Sequence, residues 1–162
     1  MKKLIYIILF SALLTGCVSS KHTANRKSEK EAKELIKYAG KYTGTPYRYG
    51  GTTPKGFDCS GFVQFVYKEI GYSLPRTSQA QAKVGAKVDK KNLKTGDLVF
   101  FKGKNEKSKK IGHVGIVTRP EKKGKFEFIH ASNVGVRTDD SEFHYYKIRY
   151  VTARRIIGNL QQ

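Results

Sequence analysis

The chain has 162 residues, 38% of them hydrophobic and 28% charged, with 32 Lys and Arg against 13 Asp and Glu for a formal net charge of +19. This length suits one domain that buries about two thirds of its unfolded surface, which excludes a second domain and any need for disulfide staples. A field of this sign attracts anions. The start of the chain reads as exported, which excludes nucleic acid and favours anionic groups at an envelope: phospholipid headgroups, teichoic acids, lipopolysaccharide or the carboxylates of wall peptides.

Lys2 and Lys3 precede an apolar run from Leu4 to Leu14, too short to span a bilayer and suited to a signal-peptide core. Leu14-Thr15-Gly16-Cys17 resembles a bacterial lipobox, in which the cysteine becomes the lipidated N-terminus. The expected organisation is a signal peptide over 1–16, a lipidated Cys17 with a flexible tether to residue 27, and a folded domain over 28–162. Membrane contact is then through the lipid, and the polar, basic tether reaches at most about 35 Å.

Ser28 and Glu31 fit a capping box ahead of Ala32, Leu35, Ile36 and Ala39, which predicts a helix from Ser28 to about Gly40. Thr43 to Gly51 is rich in turn formers and aromatics and reads as irregular, with a further loop from Thr52 to Phe57. Phe62, Val63, Phe65, Val66 and Ile70 recur at helical spacing before Gly71, so a helix is predicted from Cys59 to Ile70 with Asp58 as its N-cap. Leu74 to Ser78 is extended around Pro75, and Ser78 is expected to cap a short helix to about Val84. Five strands follow: Leu98 to Lys102, Gly112 to Thr118, Phe126 to Ser132, Val134 to Thr138 and Tyr150 to Ile157.

The prominent candidate is Cys59. In the first turn of a helix a thiol meets unpaired N–H groups and the positive end of the helix dipole, so its pKa is expected to fall and the reactive thiolate to form more readily. The same hexapeptide, Asp58-Cys59-Ser60-Gly61-Phe62-Val63, also fits a small buried packing residue. With Cys17 taken by lipid, Cys59 has no disulfide partner in an oxidising compartment, which favours chemistry.

A hairpin turn centred between Glu121 and Lys122 gives opposed residues a constant sum of 243, which sets His113 opposite His130 on one face with Gly115 and Val117. Gly115 leaves room there for the helix headed by Cys59. Such a constellation supplies a nucleophile in Cys59, a base in His113 and a third polar group in His130 that orients the base. His144 is given no role.

Asp58-Cys59-Ser60-Gly61-Phe62-Val63, Leu74-Pro75-Arg76-Thr77-Ser78, Thr95-Gly96-Asp97-Leu98-Val99-Phe100-Phe101, Gly112-His113-Val114-Gly115-Ile116 and Phe128-Ile129-His130-Ala131-Ser132 resemble, in order, the motifs of the NlpC family of bacterial cell-wall cysteine peptidases. With the lipobox and tether, the chain is similar to the Spr-type murein endopeptidase lipoproteins. The resemblance implies an α+β, papain-like fold, in which N-terminal helices, the nucleophile helix among them, pack on a five- to six-stranded antiparallel sheet. It implies Cys59, His113 and His130 as the catalytic set, Tyr47 as a helper at the oxyanion, and Asp58 and Ser60 as binders of the substrate peptide. Where the family often has Trp after Pro-Tyr-Arg, this chain has Tyr49, and it contains no Trp.

The implied reaction is hydrolysis of amide bonds in peptidoglycan stem peptides or their crosslinks through a thioester, by a monomer without metal or cofactor. Its implied location is the outer membrane facing the periplasm, since Ser19 stands where Asp would mark inner-membrane retention. Two alternatives are a wall-binding lipoprotein without catalysis and a zinc hydrolase using Cys59, His113 and His130 as ligands.

Overall fold

The computed structural model describes residues 22–105 and 107–159. The expected signal peptide, Cys17, Ser19 and the first part of the tether lie outside the described residues. Helix α1 occupies 22–40, so it is already formed where the tether was expected, and Ser28 is an interior residue and not its N-cap. Pairs four residues apart support the extra turns: Asn25 Nδ2 donates to Glu29 at 2.7 Å and Lys27 lies 3.7 Å from Glu31. A two-stranded hairpin, β1 (Thr52–Thr53) and β2 (Gly56–Phe57), leads into α2 (Cys59–Glu69). Helix α3 (Ser78–Gln81) is capped by Thr77, whose hydroxyl accepts from Ala80 N–H at 3.3 Å, one residue before the expected cap.

The main sheet has six antiparallel strands in the order β3-β8-β4-β5-β6-β7. They are β3 (Ala86–Val88), β4 (Leu98–Lys102), β5 (Ile111–Pro120), β6 (Phe126–Ser132), β7 (Gly135–Asp140) and β8 (Tyr150–Arg155), with the short helix α4 (His144–Lys147) before β8. β3 is too short and too polar to announce itself in the sequence. It is held by pairing with β8, Val88 opposite Ala153.

Both faces of the sheet are buried. On one, Leu98, Phe100, Val114, Ile116, Ile129 and Ala131 pack with Leu35 and Ala39 of α1 and with Phe62, Val63, Val66 and Tyr67 of α2. On the other, Val99, Phe101, Val117, Phe126, Phe128 and Ala153 form a second core with Tyr146 and Tyr150 against it. Each fully buried large side chain contributes about 1.5–3 kcal/mol of transfer free energy. The sheet is tied at its margin by Arg155, which forks onto the buried Asp97 at 2.8 and 2.7 Å.

The structure corrects two expectations about the sheet. β5 and β6 pair Ile116 with Ile129 and Val117 with Phe128, a sum of 245 that becomes 246 beyond a bulge. His130 therefore lies across from Gly115 and not from His113. The error of two is even, so both histidines still share a face. That face is not the one α2 covers. The space above Gly115 is filled by Phe128 and His130, whose Cβ stands 3.2 Å from where a side chain on Gly115 would begin.

Candidate active site

Asp58 starts the site. Its backbone is extended at φ −89°, ψ 173°, and its Oδ1 accepts the Gly61 N–H at 2.7 Å, which satisfies one of the free amides of the first turn of α2. Its Oδ2 accepts from Gly50 N–H at 3.1 Å, and its own N–H donates to Gly51 O at 3.0 Å, so the preceding loop is laced to the helix start. Any side chain on Gly61 would collide with the Gly51 carbonyl, which is why the helix can approach this loop. Cys59 then falls at the first helical position, 9% exposed, as a free thiol.

The backbone N–H groups of Val114, Ser60 and Cys59 act on the sulfur in favour of its ionised form. Val114 follows His113, so this contact brings the head of α2 to the strand that carries the histidine. Burial and the Asp58 carboxylate outweigh those amides and push the thiol pKa up, contrary to the expectation of a lowered value. The helix N-terminus acts as expected but is the smaller effect.

The two histidines do come together. His113 Nε2 is 2.8 Å from His130 Nδ1, with the rings nearly perpendicular at 85°. His130 is fully buried, and its Nε2 is 3.0 Å from Asp139 Oδ2. The same oxygen accepts from the Tyr146 hydroxyl at 2.8 Å, and Arg137 Nη2 lies 2.7 Å from Asp139 Oδ1. Burial acts to raise the Asp139 pKa, yet the hydrogen bonds from His130 and Tyr146 and the charge of Arg137 bring it below the usual carboxylate range. Burial lowers the pKa of His130 and of His113; His130 adds to the lowering at His113, while Asp139 opposes it. The resting pair is thus a thiol and a neutral imidazole.

Asp58 and Ser60, expected at the substrate, are both engaged by Arg76. Its Nη1 donates to Asp58 Oδ1 at 3.0 Å and to Ser60 Oγ at 3.1 Å, while Nη2 reaches Asp58 Oδ2. Gln81 holds the opposite side of this turn, donating to Ser60 O at 3.0 Å and Pro75 O at 2.8 Å. Tyr47 is 39% exposed, and burial together with the charges of Cys59 and Asp58 raises its pKa, which puts its hydroxyl in the neighbourhood of the thiol. Tyr49 is 92% exposed. Cys17 lies outside the described residues.

Arg76, Asp139 and Tyr146 are the members of the site that the sequence left without a role. Arg76 sits in one of the quoted motifs, but its target, 18 positions away, is set by the tertiary fold. Asp139 and Tyr146 carry no local signal beyond the period of two that puts Arg137 and Asp139 on one face of β7. Among the described residues no three His, Cys, Asp or Glu side chains are grouped so as to hold a metal ion. The histidines instead spend facing nitrogens on each other, which argues against the zinc alternative. Two cavities of about 510 Å³ lie elsewhere, one between α1 and the C-terminal segment and one beside α2, and Cys59 and His113 line neither.

Residues 44–155 match the NlpC/P60 family. The chain is 36% identical over 157 residues to the Murein DD-endopeptidase MepS/Murein LD-carboxypeptidase of Escherichia coli (strain K12), covering 89% of this chain and 78% of that protein. It is 37% identical over 159 residues to the Probable endopeptidase NlpC of the same strain, covering 93% and 97% respectively. An NlpC/P60 family protein from Bacillus cereus ATCC 10987 superimposes with a TM-score of 0.69 at 34% identity, over 78% of this chain and 40% of that one. This chain therefore spans about two fifths of that longer protein. By the extent of these matches, and by the papain-like α+β architecture that carries Cys59 at a helix start beside a histidine strand, the chain belongs to the NlpC/P60 family.

Proposed function

We propose that this protein is a lipid-anchored cysteine endopeptidase that cleaves amide bonds in peptidoglycan stem peptides or their crosslinks. The observation that carries the reading is Cys59 at the start of α2 with its sulfur on the amide of Val114, the residue that follows His113, whose ring is hydrogen-bonded to His130. Relatives named as murein and NlpC endopeptidases supply the substrate class.

In this reading His113 Nε2 is engaged by His130, so Nδ1 is the nitrogen left to accept a proton. As the Cys59 sulfur attacks the scissile carbonyl carbon, its proton passes to His113 Nδ1 and the carbonyl oxygen takes the negative charge. Backbone N–H groups at the helix start, that of Cys59 among them, and the Tyr47 hydroxyl stabilise this oxyanion; one such donor is typically worth about 2.7–4 kcal/mol. The C–N bond then breaks, His113 returns the proton to the leaving amine, and a thioester remains. Water, deprotonated by His113, attacks the thioester and regenerates the thiol.

A thiol and a neutral imidazole suit this sequence, because the proton moves only as the carbon–sulfur bond forms. Arg76, with Asp58 and Ser60, borders the nucleophile and offers a cation to a substrate carboxylate. Lipidation at Cys17 keeps the domain near its polymer, at the outer membrane facing the periplasm, and the protein acts as a monomer. The test is mass spectrometry of muropeptides from purified peptidoglycan incubated with the full chain or its Cys59→Ser variant. Loss of crosslinked dimers, or shortened stems, with wild type alone supports the proposal. Identical profiles would overturn it.

A further inference from the structure

We propose that Asp139, held by Tyr146 and Arg137, is a positioning residue that fixes the tautomer of His130 and, through it, the nitrogen of His113 that carries the proton. This rests on the reading of His113 as the base.

Counting donors along one chain of hydrogen bonds fixes its direction. Asp139 is an ionised carboxylate and has no proton to give. Its Oδ2, 3.0 Å from His130 Nε2, must therefore receive that nitrogen's proton. Burial keeps His130 neutral, so its Nδ1 is bare and can only accept. Its partner among the described residues, at 2.8 Å, is His113 Nε2, which must carry its own proton on that side. His113 Nδ1 is then left bare, in the state a general base needs. Every donor in the chain points toward the carboxylate, and reversing one bond reverses the next.

Asp139 is suited to hold that direction. It lies on β7 opposite Phe128, 7% exposed, with its titratable and charged neighbours on three elements: neutral His130 on β6, the Arg137 cation on β7 itself and the Tyr146 phenol on α4, with His113 on β5 beyond His130. Tyr146 donates to the same oxygen that His130 uses and packs edge-on against the His130 ring at 5.5 Å between centroids, 83° between planes. The phenol gives that oxygen a second donor, so it acts only as an acceptor. An amide at position 139 could instead present N–H to His130 Nε2, drive the His130 proton to Nδ1, and force the His113 proton onto the nitrogen that must take the proton from Cys59.

The test begins with nitrogen NMR of the imidazoles in the full-length Cys59→Ser chain at pH 7.5, which needs no substrate. The expected result is the Nε2–H tautomer at both His113 and His130, and a shift toward Nδ1–H at His130 when Asp139→Asn is added. An Nδ1–H tautomer at His130 in the parent would overturn the proposal even if the Asn variant did not fold, as would unchanged resonances in a folded Asn variant. In muropeptide release, Asp139→Asn is expected to lower kcat about 10- to 100-fold with little change in KM. That is less than the ~10⁴-fold loss seen where a carboxylate bonded directly to the base is replaced. The acid limb of kcat/KM should also move to lower pH, because Asp139 raises the pKa of His113. Tyr146→Phe should show a smaller loss, with His130 still Nε2–H. A loss of rate with the acid limb unmoved would assign Asp139 a structural role and sink the idea. Absence of wall hydrolysis by the wild type would overturn the hydrolase reading while leaving the tautomer measurement to stand on its own.

Discussion

The guanidinium of Arg76 lies fork to fork on the carboxylate of Asp58, with Nη1 3.0 Å from Oδ1 and Nη2 against Oδ2, so the N-cap of the Cys59 helix is clamped from the segment before α3. Asp58 thus does three things at once: it caps α2, anchors the Gly50 loop and pairs with Arg76.

Replacing it separates these roles. Asp58→Asn keeps a cap oxygen and loses the charge, and should cost about 1 kcal/mol. Asp58→Ala loses both and should cost about 2 kcal/mol, which for a domain of this size is a fall in Tm of roughly 4–8 °C. The Arg76 side chain is 37% exposed, so Arg76→Ala should cost no more than about 1 kcal/mol. Thermal unfolding of the three variants checks the order, and an Arg76→Ala loss larger than that of Asp58→Ala would refute it.

Gly61 is constrained by space. A methyl group there meets the carbonyl of Gly51, which is backbone and cannot swing aside, so Gly61→Ala should destabilise by about 1–3 kcal/mol and slow reaction at Cys59 by displacing the helix start. Gly40, at the end of α1, has nothing within 4 Å of the place a methyl group would take, and Gly40→Ala should be neutral or stabilising by about 0.5–1 kcal/mol. Differential scanning calorimetry of the pair decides it: equal melting temperatures would mean that the loop yields.

How much of this could be read from the sequence depends on the range of the interaction. Helix α2 was legible because its cap, its apolar spacing and Gly71 are all local, and it runs from Cys59 to Glu69 as expected within a residue. The β5–β6 register was not. Its turn is centred near Lys123, where Lys123 and Gly124 take φ of 61° and 75°, and a bulge follows Val117. The choice of face was also hidden, because Val114, Gly115, Ile116 and Val117 are buried in succession and period two has nothing to distinguish. The pKa of Cys59 required the burial and the Asp58 charge that only packing supplies. Asp139 and Tyr146 meet through strands and a helix that no local pattern joins.

Acid should weaken the fold in two stages. His130 is fully buried with a lowered pKa, so as pH falls through about 6.5 the unfolded chain takes up a proton that the folded chain refuses, and stability declines. Asp58 and Asp139 have lowered pKa values; the stability they add is full above about 3.9 and is lost as pH falls through their folded values. Melting temperature measured from pH 8 to pH 3 should therefore begin to fall near pH 6.5 and fall again below pH 4. A flat curve between pH 8 and pH 5 would contradict the account of His130.

The thiol provides the sharpest check on the resting state. A preformed thiolate–imidazolium pair would react with iodoacetamide at a rate nearly independent of pH from about 4 to 8, as expected of a strongly depressed thiol pKa. Here burial and Asp58 raise the Cys59 pKa while burial and His130 lower that of His113, so both groups favour their neutral forms. Alkylation at Cys59, followed by peptide mass spectrometry, should keep rising with pH past about 8.5 without an acid plateau. Asp58→Asn removes a negative charge from beside the sulfur, so it should shift the whole curve to lower pH. If the wild type reacts equally fast at pH 5 and pH 8, the ion pair is already formed and the neutral resting state is wrong. If the wild-type curve is as expected but Asp58→Asn leaves it in place, burial alone sets the thiol and the Asp58 charge has no part in it.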